Sequence, residues 1–374
     1  MDKNNSFLKW ACVVLAVIAI GAAGFFAGRY EADSKYQAER ERNILINRSE
    51  LDGLVPVEGP IYVTGHKSPD ADTVGSSIGY AALLRQLGYD AQPVVLGEIN
   101  KETAYILEQG GIEVPMLLDN AAGCNMVLMD HSDYLQSVDG LEEALIISII
   151  DHHGDGTVMT GNQLIYDARP IGSTATIVWI RYRNFGLTPD PKSACAMVGS
   201  ILSDTHNLGS DTTTYADREA LKELSAIAGI NDTDAMYREM YKASISYEGM
   251  TDEEIFYSDY KEYETDGRTF GIACVNAYDE EAAKDYAERM NRLIPEVLAE
   301  TGLDYLFAQI SIFHDDVSIT YLVPSDRAAA GVIEEAFGEK AVFDGTSYRL
   351  DPGISRKQVL VPAITDVLNA HPKE

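Results

Sequence analysis

The sequence predicts an α/β protein: a mostly parallel sheet covered by helices, then a smaller α/β unit, with one transmembrane helix in front. Three observations carry this. From Ile61 onward, short β-branched runs alternate with segments whose apolar residues recur at helical spacing. One run, Ile147-Ser148-Ile149-Ile150, has apolar residues on both faces, as in a strand buried within a parallel sheet. Ahead of both, Trp10 to Gly28 is 19 residues without a charge.

The apolar segment spans roughly 28 Å as a helix at about 1.5 Å per residue, close to the bilayer hydrocarbon thickness. A cleaved signal peptide is the alternative. Its apolar core is shorter and ends at a small-residue site, whereas this run leads straight into Arg29-Tyr30-Glu31. An uncleaved anchor over 1–29 is the expectation. Lys3 and Lys9 precede it, and Arg29, Lys35, Arg40, Arg42 and Arg48 follow it. The excess of basic residues after the anchor favours a cytoplasmic body. Residues 30–59 read as a charged helical stalk that ends in the Gly53–Pro60 turn region.

A first α/β unit is expected over 60–245. It holds strands at Ile61–Thr64, Met126–Met129 and Ala144–Ile150, and helices at Val74–Leu87, Thr174–Phe185 and Ala194–Leu202. Ser173 or Thr174 suits the N-cap of the second helix. A connection near Ser246–Thr251 leads to a second unit over 250–374. Strands are expected there at Phe270–Val275, Tyr305–Phe313 and Ser318–Leu322. Helices are expected at Glu280–Glu300, Ser325–Phe337 and Ala363–Ala370.

The chain has 374 residues and a net charge of -30 at pH 7. That charge excludes nucleic acid as a partner, because phosphate backbones require a basic surface. A small anionic substrate remains compatible where cations mask the field locally. Cys12, Cys124, Cys195 and Cys274 form no C-x-x-C pair and suggest no disulfide framework.

Acids and histidines gather at the ends of the predicted strands and helices. The first cluster is Gly65-His66-Lys67-Ser68-Pro69-Asp70-Ala71-Asp72-Thr73, the second Asp130-His131-Ser132-Asp133. The third is Asp151-His152-His153 and the fourth Ser203-Asp204-Thr205-His206. Five of the seven histidines fall in these clusters, which scattering by chance does not produce. Taken singly, each has a bland reading: Asp72 caps a helix, Lys67 is solvated, His206 sits in a loop. Jointly those readings need four coincidences. Side chains just past the carboxyl ends of strands line the crevice where α/β sheets place ligands. Two His and about four Asp form a mixed nitrogen and oxygen donor set, suited to Mn, Fe, Co or Zn. Six such ligands suit two ions bridged by a carboxylate better than one.

The ordered set His66-x-x-x-Asp70-x-Asp72, Asp130-His131, Asp151-His152-His153 and Ser203-Asp204 resembles the DHH phosphoesterase superfamily. Asp259-Tyr260-Lys261-Glu262-Tyr263 and Ser355-Arg356-Lys357-Gln358 resemble the substrate motifs of its family II, manganese-dependent inorganic pyrophosphatases, whose C-terminal domain is of DHHA2 type. The resemblance implies a DHH domain followed by a DHHA2 domain, and hydrolysis of pyrophosphate to two phosphates. It implies two divalent ions, manganese foremost with cobalt as a substitute, and magnesium accompanying the substrate. It makes His66, Asp70, Asp72, Asp130, His152 and Asp204 the metal ligands, with Asp130 the bridge and, together with His153, the catalytic pair. His153, Lys261, Arg356 and Lys357 would bind substrate. It is also compatible with a homodimer.

The sequence departs from this pattern in two places. Leu208-Gly209-Ser210-Asp211-Thr212 stands where the family carries a Phe-Lys-Ser-Pro-Thr type segment, so one cation is missing. The anchor is foreign to the family's soluble enzymes. A short-chain exopolyphosphatase, or another DHH phosphoesterase, is the alternative enzyme. A tethered metal-binding or phosphate-binding module without catalysis is the alternative outside enzymes, and the intact ligand set argues against it.

Overall fold

The computed structural model describes the backbone of residues 3–54, 59–314 and 317–371, and the side chains of these except 3–21, 23, 24, 313 and 314. Helix α1 (Lys3–Leu54) runs without a break from the expected anchor into the expected stalk. Among the described residues, no helix is long and apolar enough to cross a membrane. The anchor expected at Trp10–Gly28 falls largely on residues whose side chains lie outside those described. The end of the stalk is more than a solvated spacer. Leu51 is 2 % exposed within the core of the first unit. Arg48 donates to the Leu87 carbonyl at 3.2 Å, and the Tyr89 hydroxyl donates to Asp52 at 2.5 Å.

The chain divides into two units, Met1–Tyr241 and Lys242–Glu374. In the first, β1 (Ile61–Thr64), α2 (Ala71–Gln86), β2 (Ala91–Val95), α3 (Lys101–Gln109), β3 (Met116–Leu117), β4 (Asn125–Met129), β5 (Leu145–Asp151) and β6 (Ile165–Ala168) follow in order. Then come α4 (Thr174–Asn184), α5 (Pro191–Asp204), α6 (Tyr215–Ala228) and α7 (Thr233–Ser244). The sheet order is β3-β2-β1-β4-β5-β6, and every pairing is parallel. Strand order reverses between β1 and β4, so the crevice of this doubly wound sheet opens at their carboxyl ends. The central strands are buried on both faces, which is why β4 and β5 read as near-continuous apolar runs.

The small residues of α5 have a packing reason. A Cβ on Gly75 of α2 would stand 2.1 Å from Ser200 Oγ and 2.6 Å from the Ala196 carbonyl of α5. The two helices cross too closely for any side chain there. The Cβ of Gly79 would likewise meet Met197 at 2.6 Å. This crossing fixes the end of α5, where Asp204 lies, relative to the start of α2, where Asp70 and Asp72 lie.

The second unit contains α8 (Asp252–Tyr257), β7 (Tyr260–Thr265), β8 (Arg268–Asn276), α9 (Glu280–Thr301), β9 (Tyr305–His314) and β10 (Val317–Pro324). It continues with α10 (Arg327–Phe337), β11 (Val342–Phe343), β12 (Tyr348–Leu350) and α11 (Val361–Ala370). Its sheet order is β11-β12-β10-β9-β8-β7. Only the β8–β9 pairing is parallel among the described strands; the rest are antiparallel. Asp279 and Asp326 cap α9 and α10 by accepting from Ala282 N and Ala329 N.

Candidate metal centre

The loop after β1 carries His66, Asp70 and Asp72. Asp70 caps α2 with one oxygen, accepting from Thr73 N at 2.9 Å, and its other oxygen lies 3.4 Å from His66 Nε2. Asp72 does not cap the helix it begins. Its buried carboxylate accepts from Thr174 N at 2.6 Å, Ala175 N at 3.0 Å and Ser173 Oγ at 2.8 Å. It therefore binds the N-terminus of α4, where backbone N–H groups and the helix dipole favour an anion.

Asp130 follows β4 directly and takes a left-handed backbone, φ 63°. That conformation costs a non-glycine residue about 1–3 kcal/mol and persists where its surroundings enforce it. Asp130 is 2 % exposed. His66 Nε2 lies 3.6 Å from its Oδ2, and His152 Nε2 lies 3.4 Å from its Oδ1. His152, just past β5, also sits 3.4 Å from Asp204 Oδ2 and 4.0 Å from Asp72 Oδ2. Its Nδ1 donates to the Ile171 carbonyl at 2.9 Å. That bond leaves Nε2 as a lone pair, and this buried atom has no hydrogen-bond partner. Ile171 is steadied in turn by Asp217, which accepts from Gly172 N and Thr176 Oγ1.

Among the described residues, three groups bring ligand atoms within 4.8 Å of one another. Two are donor sets without His153: His66, Asp70 and Asp130; and Asp72, Asp130, His152 and Asp204. The third is Asp130, His152 and His153, so Asp130 belongs to all three. An orphaned imidazole lone pair facing buried carboxylates fits a divalent cation and little else, because such acids repel one another without one. A cavity of 380 Å³ opens over His66, Asp70, Asp130, His153 and Asp204, and no Lys or Arg is among its lining residues.

The remaining histidines have other partners. His153 places Nδ1 3.0 Å from Asp151 Oδ1, is 57 % exposed, and keeps Nε2 free for a ligand. Asp151, first of its triplet, is thus the partner that orients His153. His131 is buried between the Met129 carbonyl and Ser137 Oγ, outside both donor sets. His206 is exposed. Lys67 pairs with Asp139 at 2.8 Å. In the second unit, Arg356 donates to the Asp259 carbonyl and carboxylate, each at 2.8 Å. Burial pushes the Cys274 thiol up to about 11, while nearby Arg356 and Lys261 pull the other way. The two cations therefore share one corner of that unit. Lys357 is exposed, next to Arg356 in the short helical stretch Arg356–Leu360.

Electrostatics favour a bound cation. Burial, then the charge of Asp130, raises the Asp72 carboxyl to about 7. Burial and the charges of Asp72, Asp130 and Asp70 raise Asp204 as well. Burial works against a charged His66, yet hydrogen bonds to Asp130 and Asp70 outweigh it and lift that group to about 10. All three groups hold protons in the folded chain that the unfolded chain releases, so stability without metal falls as pH rises. For Asp72 the loss runs from the usual carboxylate range up to about 7, and for His66 from its ordinary value of 6.5 up to about 10. Calorimetry with a chelator present is expected to show melting several degrees lower near pH 8 than near pH 6, at about 2–4 °C per kcal/mol. Saturating manganese should narrow that gap. Metal-free melting that is flat over this interval would contradict the repulsion described here.

Two family models match the chain: the DHH family, N-terminal domain, over residues 60–217, and the DHHA2 domain over residues 238–367. A Bacillus licheniformis protein named "Probable manganese-dependent inorganic pyrophosphatase" is 36 % identical over 311 residues, 82 % of this chain and 98 % of its own. A Clostridium acetobutylicum protein of the same name is 33 % identical over 314 residues, covering 83 % of this chain and 99 % of its own. A solved Methanococcus jannaschii structure assigned to family II inorganic pyrophosphatases shares 32 % identity. It has a TM-score of 0.49 and covers 83 % of this chain and 99 % of that one. The chain belongs to the family of manganese-dependent inorganic pyrophosphatases, with a DHH domain followed by a DHHA2 domain.

Proposed function

We propose that this chain hydrolyses inorganic pyrophosphate to two phosphates at a dinuclear metal centre. The carrying observation is the pair of donor sets that share Asp130. His66 and Asp70 would hold one divalent ion and Asp72, His152 and Asp204 the other, with Asp130 available to both. Manganese is the expected metal, cobalt a substitute, and magnesium arrives with the substrate. Bound there, two such ions supply a water that ionises near neutral pH and screen the charge of the phosphoryl oxygens. The chain does the rest. Asp151 fixes the His153 ring, and His153 Nε2 holds the substrate and passes a proton to the leaving phosphate. Lys261, Arg356 and Lys357 neutralise the terminal phosphate. Asp259 engages two of the five N–H groups of Arg356, which fixes the guanidinium for a phosphate. Product analysis with purified, manganese-loaded protein tests this, comparing pyrophosphate, triphosphate and a dinucleotide. Faster cleavage of the dinucleotide would refute it.

The run from Trp10 to Gly28 supports a membrane anchor, with the catalytic body on the cytoplasmic side. Because α1 continues unbroken to Leu51, which is buried in the first unit, the body would ride on a helical strut. The full chain should stay with membranes through an alkaline wash, and deletion of residues 1–28 should release it. Recovery of the full chain in the soluble fraction would remove the anchor from the proposal.

A further inference from the structure

The geometry points to Thr73 and Thr174 as positioning residues that hold Asp130 in its bridging orientation, one hydroxyl serving each metal position. This inference rests on the two-ion reading above. Thr73 Oγ1 donates to Asp130 Oδ2 at 2.9 Å, and Thr174 Oγ1 donates to Asp130 Oδ1 at 3.0 Å. The oxygen bound by Thr73 is the one 3.6 Å from His66, and the oxygen bound by Thr174 is the one 3.4 Å from His152. An ionised carboxylate has about two acceptor sites on each oxygen. With one site per oxygen taken by a hydroxyl, one per oxygen is left, on the oxygen nearest His66 and on the oxygen nearest His152. A carboxylate without such restraints can turn about its last bond and chelate a single ion with both oxygens. Turning here breaks two buried hydrogen bonds at once.

Both threonines are anchored independently of their hydroxyls. Thr73 N donates to Asp70, and Thr174 N donates to Asp72. Thr73 is further wedged against Gly65, where an added Cβ would meet Thr73 Cγ2 at 2.4 Å. Thr174 therefore touches both carboxylates of the second donor set that lie nearest α4: its backbone grips Asp72 and its side chain grips Asp130. Partners that orient metal ligands typically change metal affinity or activity 10–100-fold when lost.

The test is manganese titration of purified protein, followed by calorimetry and by electron paramagnetic resonance, which separates isolated ions from an exchange-coupled pair. Thr73→Val and Thr174→Val keep side-chain shape and remove only the hydroxyl. Each is expected to weaken one of the two ions about 10–100-fold and the coupled signal with it, whereas Thr73→Ser and Thr174→Ser keep wild-type affinities. Site assignment comes from a His66→Ala background, which removes one ion. There Thr174→Val should still weaken the remaining ion and Thr73→Val should not. Alanine removes the same hydroxyls and carries the test where a valine variant does not fold. Unchanged affinities and coupling in the valine or alanine variants overturn the inference, and so does equal weakening of both ions by either one. Two ions on the wild-type chain with unaltered variants overturn this inference alone. Fewer than two ions on the wild-type chain overturn the two-ion reading as well.

Discussion

Asp130→Asn is expected to lower turnover on pyrophosphate about 10³-fold or more, equivalent to roughly 4 kcal/mol of barrier, and to reduce bound metal in the same preparation. The residue is the one ligand common to both donor sets. An amide lacks the negative charge and offers a single oxygen, so it cannot replace a bridging carboxylate. Metal content of the purified variant and steady-state kinetics are the two measurements. Stability separates this from misfolding. Asp130 repels Asp72 and Asp204 but also helps His66 keep its proton, so neutralising it has opposing effects on the metal-free protein. The chelated variant should keep a single cooperative melting transition near pH 8. Full activity with one tightly bound ion per chain would sink the bridging role.

The donor residues were legible because each stands where a regular element ends. An apolar strand that stops at Asp-His-His, or a small-residue helix that stops at Ser-Asp, breaks its own pattern. The side chains past the break lie at the carboxyl ends of β1, β4 and β5 or at the end of α5. The hydroxyls were not legible. Thr73 closes the first cluster and Thr174 reads as a helix cap, and neither reading points to Asp130, whose contacts with them span 57 and 44 residues. Asp72 likewise reads as a cap for its own helix, and only the fold shows it bound to α4, about a hundred positions away. The carboxylate capping α2 is Asp70.

Element boundaries followed the same logic. The strands of the first sheet that are buried on both faces announced themselves through unbroken apolar runs. The edge strands β3 and β6 did not, since Met116 and Leu117 are exposed and β6 alternates between half-buried and exposed residues. The helices α6 and α7 were also silent, because only a few residues of each are buried. The stalk looked solvated for a simple reason: its charged residues outnumber the few that touch the core. Leu51 and Arg48 act at a single turn, which no window average registers.

Arg356→Ala should raise KM for pyrophosphate and lower kcat together, by about 10–100-fold in kcat/KM, while leaving both metal affinities unchanged. Phosphoryl transfer relies on positioning and charge neutralisation more than on covalent chemistry, so removal of a cation proposed to grip the terminal phosphate weakens the ground state and weakens the transition state further. Arg356 is suited to that grip because Asp259 fixes its fork at two points. Asp259→Ala should then give a milder version of the same loss, since the guanidinium stays but its orientation relaxes. Lys357→Ala should resemble Arg356→Ala with a smaller effect, because an exposed ammonium is a mobile point charge rather than a fork. Substrate choice decides between the two enzyme readings. The segment Leu208–Thr212 bears on this, because it carries Asp211 and no cation. A preference for triphosphate over pyrophosphate in the wild-type protein, with Arg356→Ala affecting both equally, would favour the exopolyphosphatase reading and locate its cause in that segment. A strict preference for pyrophosphate that Arg356→Ala weakens would place specificity in the basic clamp of the second unit.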